Sequence, residues 1–386
     1  MQKQMTKTAS SPSSAASMQV PFIDLRQRYE EEKTELNACI EKILSKGALV
    51  LTPELREFEA EVEKFTGAKH CIGLNSGTDA LMLSLWSAGI GKGDEVIHPP
   101  ISFVASTGAI HHIGAIPVYA DVGPDSLIDP AKIEEKITPR TKAIMPVHWA
   151  GKMCDMDAIY KIANKHKIQV IEDSAQAMGS YYKGKHGGLF GPSGAISCHP
   201  LKNLNALGDG GLLLTNDDDV AKRVLLYRNH GLESRDNVVM YGVNSRLDVL
   251  HAEVLRMRLK KLNDIITRRR NNANLYRELI KTDRVYIPAE RTSEGYVDSY
   301  VMFIVQAEKR DALKAFLQEN GIESLVYYGT ALHLHKAAQQ YGYKRGDFPV
   351  AEAQCDKVLA LPHHQHLTSD QISYVADKVN QFYKSN

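Results

Sequence analysis

Ile168-Gln169-Val170-Ile171-Glu172-Asp173-Ser174-Ala175-Gln176 is the stretch on which the fold turns. A largely apolar run, too short for a helix, ends abruptly in two carboxylates. It reads as a buried strand covered on both faces. Six more short runs flank it: Cys71–Leu74, Glu95–His98, Ile116–Ala120, Lys142–Val147, Ala195–Cys198 and Leu212–Thr215. Helical patterns separate them. This alternation predicts an α/β domain with a mostly parallel, seven-stranded sheet and helices on both faces. In such sheets ligands bind beyond the carboxyl ends of the strands, where Glu172 and Asp173 stand. A carboxylate there can pair with a protonated ring nitrogen, or it can simply cap the next segment.

Downstream the pattern changes. Val249, Ala252, Leu255, Leu259, Leu262 and Ile266 recur at spacings of three and four, which puts them on one face of a single long helix from Leu247 to Ile266. Arg256, Arg258, Lys260 and Lys261 fall on the other face, read as a solvated basic surface. A strand over Tyr300–Gln306, a helix over Asp311–Glu319 stopped by Asn320-Gly321, and a strand over Ile322–Tyr328 suggest a smaller α+β C-terminal domain. The expected division is a disordered leader over 1–17, a large domain over 18–265 and a small domain over 266–386. The leader is rich in Ser, Ala and Thr and lacks the apolar core of a signal peptide. Met18 is a candidate alternative start.

Composition narrows the function classes. The 386 residues are enough for one large core and a second, smaller one. A net charge of +1 gives no bulk attraction to nucleic acid or to an anionic membrane. No run approaches the roughly 20 apolar residues of a membrane helix. Five scattered cysteines, Cys39, Cys71, Cys154, Cys198 and Cys355, form no C-x-x-C pair and fit a reducing, cytoplasmic setting. His363, His364 and His366 have no acidic or thiol partner at ligand spacing, so they read as exposed loop histidines and no metal is expected. His148 reads as a packed histidine at a strand end.

Two further stretches carry chemistry. In Leu74-Asn75-Ser76-Gly77-Thr78-Asp79 a strand turns into a helix. Unpaired amides and the helix dipole at such a start favour an anion, and Gly77 permits close approach. An ordinary helix cap would use the same residues. In Ala195-Ile196-Ser197-Cys198-His199-Pro200-Leu201-Lys202-Asn203, followed by Gly208-Asp209-Gly210-Gly211, a lysine stands just beyond a short strand. A water-poor pocket lowers a lysine's pKa and frees the neutral amine that attacks carbonyls. Alone, Lys202 could equally be a surface lysine. Together the three stretches offer an anion cradle, an acid for a pyridinium and a Schiff-base lysine. Those are the partners that pyridoxal 5'-phosphate (PLP) needs.

The chain resembles the DegT/StrS-type sugar aminotransferases, of PLP fold type I. The matching stretches are Val20–Leu25, Asn75–Ala80, Gly91–Glu95, Ser102–Ala105, Glu172–Gly179, Ser197–Gly211, Asn244–Leu250 and Leu361-Pro362-His363. The resemblance runs from about Pro21 to the C-terminus. It implies that Lys202 carries the cofactor and shuttles the proton, and that Asp173 holds the pyridine nitrogen protonated. It places Gln176 near the phenolic oxygen and Phe103 on the ring face. Ser76, Gly77, Thr78 and Ser197 would bind the phosphate. Asn244 would reach the phosphate of a neighbouring subunit, which implies a homodimer with shared active sites.

The implied activity is transfer of an amino group, with L-glutamate as donor, to a nucleotide-linked keto sugar. Leu204–Gly211 and Asn244–Asp248 look like the branch that aminates 3-keto sugars, here a 3-keto-6-deoxyhexose. A 4-keto sugar or cyclitol aminotransferase is the alternative. A PLP-dependent sugar dehydratase or a non-catalytic regulatory protein of the same fold ranks lower, because Lys202 and Asp173 are both present. The chain departs from the family at Cys198, usually aromatic, and at Tyr327-Tyr328-Gly329-Thr330-Ala331-Leu332-His333. Tyr327, Tyr328 and His333 are the expected substrate contacts.

Overall fold

Seven short strands form one twisted sheet in the computed structural model, which describes residues 18–385. They are β1 (His70–Leu74), β2 (Glu95–His98), β3 (Ile116–Tyr119), β4 (Thr141–Ile144), β5 (in two pieces, Gln169–Val170 and Glu172–Asp173), β6 (Gly194–Ser197) and β7 (Gly211–Thr215). The sheet order is β3-β2-β4-β5-β6-β7-β1. Its two halves meet at β5, where Ile171 N–H donates to Ile144 O and Val147 pairs with Asp173 in parallel. β7 alone runs against both its neighbours, and the other pairs are parallel. The leader, 1–17, lies outside the described residues.

Both faces of the sheet are covered. Leu212 and Leu214 of β7 pack with Leu55, Phe58 and Val62 of the helix Pro53–Thr66. Leu213, between them, packs with Leu81 and Leu85 of the helix that follows β1. A residue-by-residue change of face with every side chain buried is why these runs look apolar rather than alternating.

The helix Leu25–Lys46 is designated α1. The other helices used below are α2 (Pro53–Thr66), α3 (Gly77–Ser87), α4 (Val104–His112), α5 (Val249–Leu259) and α6 (Leu262–Leu279). The expected single helix over 247–266 is thus two. Lys261 N–H bonds back to Arg258 O, an i to i−3 turn that ends α5 before α6 starts. All six residues of the predicted apolar face are nevertheless buried. The basic face departs from expectation. Arg258 is only 5% exposed, because its guanidinium is inserted against Glu32 of α1, 2.8 Å away.

α6 joins two cores. Leu262 and Ile266 pack beneath the large sheet, whereas Ala273 and Tyr276 pack with the C-terminal elements. Those elements include a three-stranded antiparallel sheet of β8 (Val285–Tyr286), β9 (Phe303–Ala307) and β10 (Val358–Leu361), in that order, with the helices Arg310–Glu319 and Ser369–Ser385. The expected strand over 322–328 does not form. Ile322 makes one bridge to Val20 and Leu325 one to Ala360, and the chain then turns into the cavity wall. His363 and His364 are buried, not exposed as expected: His363 stacks on Phe303 at 5.7 Å between ring centres. Burial, reinforced by Arg269, pushes His364 down to about 4 and keeps it neutral. Among the described residues no group of three or more His, Cys, Asp or Glu could hold a metal, and no helix is long and apolar enough to cross a membrane.

Candidate active site

The carboxyl ends of β1, β5 and β6 converge on a cavity of about 310 Å³. Ser76, Gly77, Thr78, Phe103, Asp173, Gln176, Ser197, Lys202, Tyr327 and Tyr328 all line it. Residues more than 100 positions apart therefore meet where the strand pattern said a ligand would sit.

β5 supplies the acid. Asp173 is 4% exposed, and its Oδ1 accepts from the Ala175 N–H at 3.2 Å. Its Oδ2 accepts from the Ser106 hydroxyl at 2.6 Å. Burial raises its pKa, with these hydrogen bonds and Lys202 opposing. The neighbouring Glu172 points the other way, as strand geometry requires. It accepts from the backbone N–H groups of Gly188, Phe190 and Gly191 and contacts His148 Nε2 at 2.9 Å. Glu172 is a structural clamp and Asp173 faces the cavity. His148 is a fully buried packed residue, as expected.

β6 and its following turn supply the lysine. Lys202 N–H donates to His199 O at 2.8 Å, and Ala206 N–H to Cys198 O at 2.8 Å. The Asn203 amide donates to Ser299 O at 2.9 Å, and Arg258 Nη1 to Asn205 O at 2.7 Å. The turn is thereby held from both cores. Burial lowers the Lys202 pKa to about 8, with Asp173 opposing the shift. Cys198, the departure from the family pattern, is fully buried under this turn.

β1 leads into α3 through the anion cradle. Ser76 caps the helix, its Oγ accepting from Asp79 N–H at 3.1 Å, so the capping role expected as an alternative is real. The cap leaves the Gly77 and Thr78 amides at the cavity. A Cβ at Gly77 would come within 2.7 Å of the Ser197 Cβ, so only glycine lets β6 and the helix start close around a small anion. Gln176 Oε1 accepts from Ala150 N–H at 2.7 Å, which leaves its NH₂ as the end available to a ligand oxygen. Phe103, the N-cap of α4, is 51% exposed and stands 6.1 Å from the Tyr328 ring.

A phosphate, a pyridine nitrogen and an aldehyde each find a partner here, so the residues fit PLP. Two expected contacts lie elsewhere. Asn244 is exposed and outside the cavity of its own subunit. His333 is not a substrate contact: it is 1% exposed, bonded to Glu352 at 3.0 Å and packed on Phe348, because the short turn Leu332–Leu334 carries it into the core. Sequence reading missed Ser102, Ser106 and Arg258. Ser102 opens the quoted Ser102–Ala105 motif and Ser106 follows it directly, which was the available signal.

The comparisons with known proteins agree with the geometry. The DegT/DnrJ/EryC1/StrS aminotransferase family matches residues 30–380. A "Pleiotropic regulatory protein" of Geobacillus stearothermophilus is 39% identical, covering 95% of this chain and 99% of that one. The dTDP-3-amino-3,6-dideoxy-alpha-D-galactopyranose transaminase of Aneurinibacillus thermoaerophilus is 39% identical, covering 94% and 99%. The crystal structure of Streptomyces venezuelae DesV superposes with a TM-score of 0.91 at 38% identity, covering 94% and 98%. Solved structures of similar chains include PLP and PMP forms. The chain therefore belongs to the DegT/DnrJ/EryC1/StrS family and is a PLP-dependent aminotransferase of fold type I.

Proposed function

We propose that this enzyme moves the amino group of L-glutamate to the keto carbon of a nucleotide-linked 3-keto-6-deoxyhexose. The apolar part of the cavity wall is the observation that carries the sugar class. Phe22, Ile23, Val301, Met302, Tyr327 and Tyr328 make it largely apolar and aromatic. The basic residues lining the cavity are Lys202 and His199. A deoxy sugar, with fewer hydroxyls needing hydrogen-bond partners, suits such a wall better than a fully hydroxylated one. Relatives named as dTDP- and UDP-linked 3-amino sugar transaminases support the same class.

When bound, PLP supplies an aldehyde that captures amines and a ring that withdraws electrons. This chain's residues do the rest. Asp173 would hold the ring nitrogen protonated, the Gln176 NH₂ would serve the phenolic oxygen, and Gly77, Thr78 and Ser197 would hold the phosphate and so orient the ring. With the cofactor in place, the Lys202 amine would move a proton between the substrate carbon and the cofactor's aldehyde carbon, in one direction for the donor and in the other for the sugar. Asn244, on the outer surface, contributes to the phosphate site of a second subunit.

The test is a panel of dTDP- and UDP-linked 3-keto and 4-keto sugars with glutamate, read by mass spectrometry of the product. Amination of the 3-keto-6-deoxy members is expected. Exclusive use of 4-keto sugars overturns the sugar assignment. Borohydride reduction should fix the cofactor mass on Lys202; failure to do so argues for a non-catalytic relative.

A further inference from the structure

We propose that Ser106, with Ser102 behind it, is the positioning residue that keeps the Asp173 carboxylate ionised and turned toward the ring nitrogen. The hydroxyl of Ser106 reaches from α4 to β5, across 67 positions of sequence, and lies 2.6 Å from Asp173 Oδ2. An ionised carboxylate carries no proton, so Ser106 is the donor. Its one proton is then committed. The Ser102 Oγ lies 2.6 Å from the Ser106 Oγ, and that contact can only be a donation from Ser102. Two hydroxyl dipoles thus point in series at one oxygen.

Both serines are buried, at 4% and 1% exposure, where such a chain is stronger than in water. Ser106 lies in the first turn of α4, Phe103 is its N-cap and Ser102 precedes the cap, so one helix start presents Phe103 to the cavity and braces the acid partner of the ring. The bracing matters because a buried acid and a buried pyridinium can relax to a neutral pair by moving one proton. That move would remove the positive charge from the ring and with it the electron sink. Donors aimed at Oδ2 oppose it. Lys202 and His148 also bear on the Asp173 charge, but no hydrogen bond ties either to its carboxylate oxygens. The inference rests on the PLP chemistry and not on which sugar is used, so failure of the sugar assignment leaves it standing.

The test is ¹⁵N NMR of the enzyme loaded with ring-¹⁵N PLP, for wild type, Ser106→Ala and Ser102→Ala. Ser106→Ala should move the resonance toward neutral pyridine. It should also cut kcat about tenfold or more, the scale of a lost hydrogen bond to a charged group, with KM for the sugar within about twofold. Ser102→Ala should move the resonance the same way but less. Ser106→Thr, which keeps the hydroxyl, should hold the wild-type resonance. A Ser106→Ala enzyme with a wild-type resonance overturns the proposal whatever its kcat. If that variant does not fold, an unmoved resonance in Ser102→Ala overturns it instead.

Discussion

The cavity has two ends built on different principles. At the cofactor end, Lys202, Asp173 and the Gly77 turn stand on the tips of sheet strands. Ser106 holds Asp173, bonds to both cores hold the Lys202 turn, and the Ser76 cap holds the Gly77 turn. At the aromatic end, beside Phe103, Tyr327 and Tyr328 sit on irregular chain between two isolated bridges and the short turn at Leu332–Leu334. They are tied mainly by ring contacts, such as Trp149 with Tyr328 at 5.6 Å. The rigid end fixes the reaction. The loosely tied end can vary its side chains without disturbing the sheet, so substrate identity can change while the chemistry stays.

Substitutions at the rigid end should therefore cost far more than those at the aromatic end. Lys202→Ala should lower turnover by at least ~10³-fold, near the top of the range for a lost acid–base group, while the apoprotein keeps its fold by circular dichroism. Near-normal turnover would break the contrast outright. Asp173→Asn should lower kcat roughly 10²–10³-fold, since stranding one member of a buried charge pair costs ~3–5 kcal/mol. If the loss is mainly in KM, Asp173 is not acting on the ring.

Proton occupancy offers a finer probe. Lys202 lies at about 8 instead of 10.5. A lowered lysine pKa means the attacking neutral amine is scarce below pH 8 and dominant above it. The rate at which apoprotein captures PLP, followed by absorbance, should rise about tenfold per pH unit below 8 and level off above. A flat profile from pH 6 to 9 would remove the water-poor environment argued for the lysine.

The smallest effects belong to the exposed aromatic. Phe103→Ala should weaken PLP binding by several-fold, roughly 0.5–1.5 kcal/mol for a lost aromatic contact. Tyr328→Phe should leave PLP affinity unchanged and shift only the relative kcat/KM among nucleotide sugars. A loss of PLP affinity in Tyr328→Phe would blur the two ends into one.

The same contrast explains what could be read from the sequence. The strands were legible because burial on both faces leaves unbroken apolar runs, and every one of the seven was located to within a few residues. Lys202, Asp173 and the Gly77 turn were legible because they follow those runs directly. Ile322–Tyr328 was misread because it meets other chain only through single bridges at Ile322 and Leu325 before Tyr327 and Tyr328 turn to the cavity. His363 and His364 were misread because histidine carries no pattern that separates an exposed loop from a packed core. Arg258 was taken for a solvated residue because its partner, Glu32, lies 226 positions away. Ser106 escaped notice because a helix-start serine normally serves its own backbone, and only the folded chain shows it serving β5.

One consequence follows from α6, whose first turns belong to one core and whose last turns belong to the other. A continuous helix does not flex like a linker; it acts as a strut. Leu262 and Ile266 foot it in the large core, and Ala273 and Tyr276 foot it in the other, so the spacing of the two cores beside the cavity is set by one helix length.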